Sequence, residues 1–166
     1  DLLFQKKIMI VPFVPNEIVL YNDLVSLKSL PDNSVLMLCN LTTTFNGVDT
    51  KDKIVLLRMD SAYNVLYANE ITVSYQGANQ TRAAQMVLNQ TKNYCYISGN
   101  LIDSVANKFS FLLKCDLNGN IIYSKATPQG SFAVSGNYYN VGLTVSSGDA
   151  VYTSEVCAGC DSTMIN

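Results

Sequence analysis

The sequence predicts an all-β fold assembled from tandem four-stranded units, and three observations carry that expectation. A long phrase recurs: FLLKCDLNGNIIYSK, Phe111 to Lys125, has its counterpart in IVLLRMDSAYNVLYANE, Ile54 to Glu70, and one constant offset lays Asp116 over Asp60 and Tyr123 over Tyr67. The runs between turn signals are short and alternate with period two. In one of them Phe111, Leu113 and Cys115 interleave with Ser110, Leu112 and Lys114, and in its earlier copy Val55, Leu57 and Met59 interleave with Ile54, Leu56 and Arg58. That is the period of a strand, and no helical period competes with it. Turn chemistry separates the runs, most clearly at Asn118-Gly119, a dipeptide that tolerates positive φ and marks hairpins.

Each element follows from these signals in chain order. LLFQKK, Leu2 to Lys7, reads like IIYSKA, Ile121 to Ala126, so residues 1–22 are expected to hold the last strand of a preceding unit and a connection. Residues 23–72 then form one complete unit. NSVLMLCNL, Asn33 to Leu41, lies over NYCYISGNL, Asn93 to Leu101, at a slightly larger offset, which makes residues 84–127 the second complete unit. Its strands are Ala84 to Asn89, Tyr94 to Leu101, Phe109 to Asp116 and Ile121 to Thr127. DAVYTSEVC, Asp149 to Cys157, is a further copy, so residues 139–166 supply the first half of a third unit.

A four-stranded sheet that is apolar at the centre of both faces must stack on neighbours like itself. Tandem meanders of about 50 to 60 residues that stack in this way point to a β-propeller, with each unit one blade. The residues also carry a resemblance. The Leu-x-Lys-x-Asp run of Leu112 to Asp116, its Gly119-Asn120 turn, and YCYISGN, Tyr94 to Asn100, resemble the repeat of bacterial secreted β-propeller proteins. That repeat runs roughly L-x-K-x-D-x-x-G-N-x-x-W-x-K, with G-Y-x-x-x-G further on. Here Tyr67, Tyr123 and Phe4 stand where the pattern has Trp, and Ser61-Ala62-Tyr63-Asn64 stands where it has the glycine turn. The resemblance implies an extracellular or cell-surface bacterial protein of the kind exported by the type IX route, and it implies no particular activity. The opening DLLFQKKIMI has no initiator Met, charged n-region or small-residue cleavage motif. With the unfinished third unit, this leads to the expectation that the chain is part of a larger ring, self-association of copies being the alternative.

Composition narrows the function. Hydrophobic residues make up 48% of the 166 residues and charged residues 14%, so the chain is expected to fold rather than stay disordered. A net charge of −2 with scattered basic residues gives no footprint for nucleic acid or anionic membranes, and no apolar run approaches the length of a spanning helix. The chain has no histidine, which removes the commonest general base and metal ligand from this segment. Among the carboxylates, Glu17, Glu70, Glu155 and the aspartates, nothing in the sequence singles out a pair. No catalytic residue is therefore assigned, and the chain is expected not to be an enzyme.

Cys157 and Cys160, spaced Cys-Ala-Gly-Cys, could form a local disulfide or remain free thiols, while Cys95 and Cys115 fall at alternating strand positions and read as small core residues. Zinc would need more ligands than these, and Asp116 to Asn120 lacks the glycine and closing glutamate of a calcium loop, so neither a metal nor a cofactor is expected. Sequons at Asn40, Asn79 and Asn89 are what an Asn- and Thr-rich chain produces by chance. The Asp-Ser pairs at Asp60, Asp103 and Asp161 resemble O-glycosylation acceptors of the same secreted proteins.

The expected function is that of a binding or structural module, taking a protein or glycan partner, with further blades of the same chain or a second copy beside it. The alternative is part of a propeller hydrolase or lyase acting on glycans, with its catalytic residues outside this segment. Binding is expected at the end that carries the longer connections, Pro12 to Asp23, Thr42 to Lys53, Val73 to Ala83, Ile102 to Lys108 and Pro128 to Tyr138. These collect Phe13, Phe45, Tyr75, Phe132 and Tyr138, rings that suit a sugar face or a protein surface.

Overall fold

The computed structural model describes residues 16–47, 49–73, 75, 78–128 and 137–158. Among the described residues ten strands form three antiparallel sheets. The first sheet is the meander β1 (Glu17–Ser29), β2 (Val35–Phe45), β3 (Asp49–Met59), β4 (Val65–Ile71). The second is β5 (Ala78–Leu88), β6 (Tyr94–Asp103), β7 (Lys108–Asp116), β8 (Ile121–Pro128). The third pairs β9 (Asn137–Val145) with β10 (Val151–Ala158). No helix of the described residues is long and apolar enough to cross a membrane.

The repeat read from sequence is present in the irregularities as well as in the strands. In the ladder between the first two strands, the second bulge leaves Val25 unpaired in β1 and Ala84 in β5, and the one bulge of the β9–β10 ladder leaves Val141 unpaired at the matching place in β9. In the ladder between the third and fourth strands it is Leu66 of β4 and Ile122 of β8 that bulge, related by the same offset as Asp60 and Asp116. Bulges at matching positions twist each sheet in the same way, which lets identical units stack with identical offsets.

The hairpins share one construction. At Asp60–Asn64, Asp103–Asn107 and Asp116–Asn120 the Asp N–H donates to the Asn carbonyl, and the residue before the Asn takes positive φ: Tyr63 at 64°, Ala106 at 68°, Gly119 at 85°. In each, one Asp carboxylate oxygen accepts the Asn main-chain N–H at 2.8 to 2.9 Å, and the other accepts the Asn side-chain amide at 2.7 to 3.0 Å. The carboxylate ties both ends of a three-residue loop, so a tyrosine or an alanine is tolerated where glycine is easiest. These contacts hold the Asp103 and Asp116 carboxyls below their ordinary range, against the opposing effect of burial. The turn at Asn118-Gly119 is thus a three-residue loop with only Gly119 at positive φ, and Asp116 spends its oxygens on the hairpin.

The core lies between the first and second sheets. Leu36, Leu38, Ile54, Leu56 and Ile71 of the first pack against Met86, Cys95, Ile97, Leu101, Phe109, Phe111, Leu113 and Cys115 of the second. The other face of the first sheet is also buried, at Cys39, Leu41, Val55, Leu57 and Met59, as the double alternation of these strands predicts. First strands are neighbours, β1 beside β5 and β5 beside β9. At the opposite border Val65, Leu66, Ile121 and Ile122 are exposed.

Polar contacts fix how the first two sheets dock. Asn40 is buried in β2, and its amide donates to the Ala83 carbonyl at 2.9 Å and accepts the Ala83 N–H at 2.8 Å. Ala83 precedes the β5 bulge, where the ladder leaves main-chain groups to be satisfied from outside. At the other border Tyr67 donates its hydroxyl to the Leu117 carbonyl, and the Asn69 amide donates to the Asn118 carbonyl at 2.6 Å. Replacing Asn40 by alanine is expected to cost about 2 kcal/mol, because two main-chain groups lose their partner. A urea-unfolding midpoint within error of wild type would show that water substitutes for the amide.

The strands run further than the sequence indicated. β1 begins at Glu17 and β5 at Ala78, each well before the unit boundaries expected at 23 and 84. The bulges at Leu20 and Asn79 let both strands continue past a break in register. The expected long connection Thr42 to Lys53 is a hairpin in which Thr42 pairs with Asp52 and Phe45 with Asp49, turning at Asn46 and Gly47, both at positive φ. Its run of threonines has the β-branched character that extends a strand. Ile102 to Lys108 closes just as tightly, with Ile102 opposite Lys108.

Candidate functional site

The end of the molecule where β4 passes to β5 carries a cleft of about 300 Å³ between the first two sheets. β3 contributes Lys51, Asp52 and Lys53, the exit from β4 contributes Glu70 to Val73, and Tyr75 and Thr81 close the far side. Ile71 and Val73 are buried while Thr72 between them is exposed, so strand alternation persists through the exit and places Thr72 at the cleft. Tyr75 is half-buried, and its ring stacks on Phe109 with centroids 4.4 Å apart and planes tilted by 46°. Asp52 accepts the Thr42 hydroxyl at 2.7 Å, which fixes the carboxylate at the rim.

An ion cluster floors one side. Lys53 Nζ lies 2.7 Å from Glu17 Oε1 and 2.9 Å from its Oε2, and 3.1 Å from Glu70 Oε2. Thr43 donates its hydroxyl to Glu17 Oε1 at 2.7 Å. Four strands each place one group here: Glu17 from β1, Thr43 from β2, Lys53 from β3, Glu70 from β4. Burial opposes charge on both Lys53 and Glu17, yet the hydrogen bonds and opposite charges win, so the Glu17 carboxyl is held below its ordinary range and the Lys53 ammonium above its own. A catalytic acid needs a carboxyl shifted upward, toward neutral pH. Glu17 is shifted the other way. The structure therefore brings together two carboxylates that no sequence signal had paired, and it pairs them around a lysine.

Of the residues expected to form a binding face, Tyr75 lines the cleft, while one side of its ring belongs to the core. Phe45 ends β2, 44% exposed, and is not among the cleft residues. Tyr138 falls in β9, with its main chain opposite Cys157, and the side chains of both lie outside the described residues, as do Phe13, Phe132 and Cys160 altogether. The sequons at Asn40 and Asn89 are buried, with Asn40 clamped to Ala83 and the Asn89 side chain holding the 89–94 turn. Ser61 and Ser104, of the two Asp-Ser pairs within the described residues, sit exposed in hairpin loops.

Lys53, Thr72 and Thr81 were not marked by the sequence, since a single lysine or threonine in a strand carries no spacing signal. Among the described residues no group of three or more His, Cys, Asp or Glu is placed to hold a metal ion. The sequence matches no protein-family model, and no curated protein is significantly similar to it.

Proposed function

We propose that the chain is a segment of a β-propeller and serves as a binding module of a larger extracellular or cell-surface protein, taking its partner at the β4–β5 end. The observation that carries the reading is the cleft itself: an aromatic edge, Tyr75, beside the hydroxyls of Thr72 and Thr81, with Lys51 and Asp52 at the rim. Apolar area next to hydroxyl and charged groups is what a glycan or a polar protein loop offers in complement.

The ring is supported by the second sheet. Its outward face repeats the set that docks the first sheet on the second: Asn100 stands for Asn40, Leu112 for Leu56 and Tyr123 for Tyr67. β9 covers part of that face, and a second cleft of about 330 Å³ remains beside Leu112, Tyr123, Lys125 and Thr153. Stacking by the same contacts would continue there, and a row of such units closes into a ring.

Binding is tested with variants that keep the fold. Tyr75→Phe, Thr81→Val and Asp52→Asn preserve packing while removing a hydroxyl or a charge from the cleft. On a glycan array, or against partners captured by the full chain, each is expected to weaken binding by roughly tenfold, as losing one charged or neutral hydrogen bond implies. Asn118→Ala and Asp149→Ala, at the opposite end, should leave it unchanged. Equal losses at both ends, or none at the cleft, would refute the placement.

A further inference from the structure

Cys95 in β6 and Cys115 in β7 stand directly opposite each other in the ladder, and both are fully buried between the first two sheets. Their neighbours define the kind of pair they make. The Tyr94 carbonyl faces β5, accepting the Asn89 N–H, and the Asp116 N–H faces β8, donating to the Asn120 carbonyl. Successive residues of a strand point their main-chain groups to opposite edges, so Cys95 and Cys115 turn theirs toward each other and exchange both hydrogen bonds. Such a pair has Cα atoms roughly 5.5 Å apart, inside the roughly 4.4 to 6.8 Å that a disulfide spans. Cβ atoms of a hydrogen-bonded pair lie toward ~5.5 Å apart and bridged ones ~3.5 to 4.5 Å, so closure draws the two strands together locally by about 1 Å. The neighbouring Cys115 thiol, together with burial, pushes the Cys95 thiol up. Cys39 belongs to the first sheet and lies outside this core cluster.

We propose that Cys95 and Cys115 form a disulfide site, closed across β6 and β7 by exchange with a small-molecule disulfide such as oxidised glutathione. One cysteine thiolate attacks the oxidant's S–S bond, forming a mixed disulfide and releasing one glutathione thiolate, which takes up a proton. The second cysteine, deprotonated, attacks the sulfur of the first and releases the second glutathione thiolate. The cysteines lose two electrons and two protons in total, and the oxidant disulfide becomes two thiols. Both sulfurs are sealed once the sheets stack, so exchange takes place during folding or when the second sheet opens from the first. Closing a loop of about 20 residues lowers the unfolding equilibrium constant on the order of 100-fold. The site serves in an oxidising compartment as a staple within the second sheet, and it stands whether or not the cleft binds a partner.

The full chain, denatured and reduced, is refolded in a mixture of reduced and oxidised glutathione and in parallel in dithiothreitol, then alkylated and digested without reduction. Refolding with glutathione is expected to give a peptide pair joined through Cys95 and Cys115, lighter by two hydrogen atoms than the two free peptides, with Cys39 alkylated. The urea midpoint of that form should exceed that of the dithiothreitol form, and the difference should disappear on reduction or in Cys115→Ser. Recovery of Cys95 and Cys115 both alkylated, either of them joined to another cysteine, or a linkage that leaves the midpoint unchanged or lower would overturn the assignment. The peptide map is made on the wild-type chain, so it decides the matter even if Cys115→Ser does not fold.

Discussion

Truncating Phe111 to alanine is expected to destabilise the protein by about 3 to 5 kcal/mol, the cost of removing a large buried aromatic whose site cannot collapse. Phe111 is 2% exposed at the centre of the packing between the first two sheets, in the strand that also presents Phe109, Leu113 and Cys115 to it. Its ring lies over Gly99, its cross-strand partner in β6. A Cβ on Gly99 would press most closely on the Arg82 main-chain carbonyl, and would stand 2.5 Å from the Phe111 Cζ and 2.7 Å from its Cε1. Gly99→Ala alone should therefore cost about 2 kcal/mol through overpacking. The informative experiment combines the two. With the ring gone the clash with its edge is relieved while that with the Arg82 carbonyl stays, so the double variant should be roughly 1 kcal/mol more stable than the sum of the single effects predicts. Additivity in urea unfolding would mean that the main chain, and not the ring, is what requires glycine at position 99.

The same pair shows what the sequence could disclose. Phe111, Leu113 and Cys115 were legible as one face of a strand, because period two needs only the residues themselves. Gly99 was readable as part of a repeat motif, but its reason lies in the close approach of the Arg82 carbonyl and the Phe111 ring across two ladders whose register is a matter of tertiary structure. The constant offset between the two copies of the long phrase placed the third and fourth strands, and the bulges at Leu66 and Ile122 obey it. The end proposed for binding was harder. Thr42 to Lys53 resembled a long connection by its polarity, although Asn46-Gly47 inside it is the same dipeptide that located the later hairpin. Ile102 to Lys108 was likewise read as a long connection, because the Asp-x-x-x-Asn spacing it shares with Asp60–Asn64 and Asp116–Asn120 takes its meaning from a carboxylate bridging both ends of the loop. The cluster of Glu17, Thr43, Lys53 and Glu70 had no sequence signal at all, since its members come from four strands and meet only through register.

That cluster sets the second large effect. Replacing Lys53 by methionine keeps most of the side-chain volume and removes the charge, leaving the Glu17 carboxylate, 6% exposed, with Thr43 as its one remaining side-chain hydrogen-bond partner among the described residues and Glu70 nearby as a like charge. A loss of about 3 kcal/mol at neutral pH is expected, because stranding one member of a buried pair costs more than the pair contributed. The pH dependence distinguishes this from a simple packing defect. In the wild type the folded state holds Glu17 below its ordinary 4.5, so that contribution is full above 4.5 and is lost as the pH falls through the lower folded value. Lys53 is held above its ordinary 10.5, so its contribution is full below 10.5 and is lost as the pH rises through the higher folded value. In Lys53→Met burial acts on Glu17 without the counter-charge, and its folded value moves above 4.5. Acidification from pH 7 toward 4.5 then neutralises a stranded charge, so the variant should recover part of its lost stability over the range in which the wild type stays level. Adding Glu17→Gln should recover a similar amount at pH 7 and abolish the variant's gain on acidification. The measurement is the difference between variant and wild-type unfolding free energies across pH 4 to 8, which cancels the other carboxylates. A difference that stays constant over that range would show that Glu17 is hydrated in the folded protein and that Lys53 acts there through its aliphatic stem.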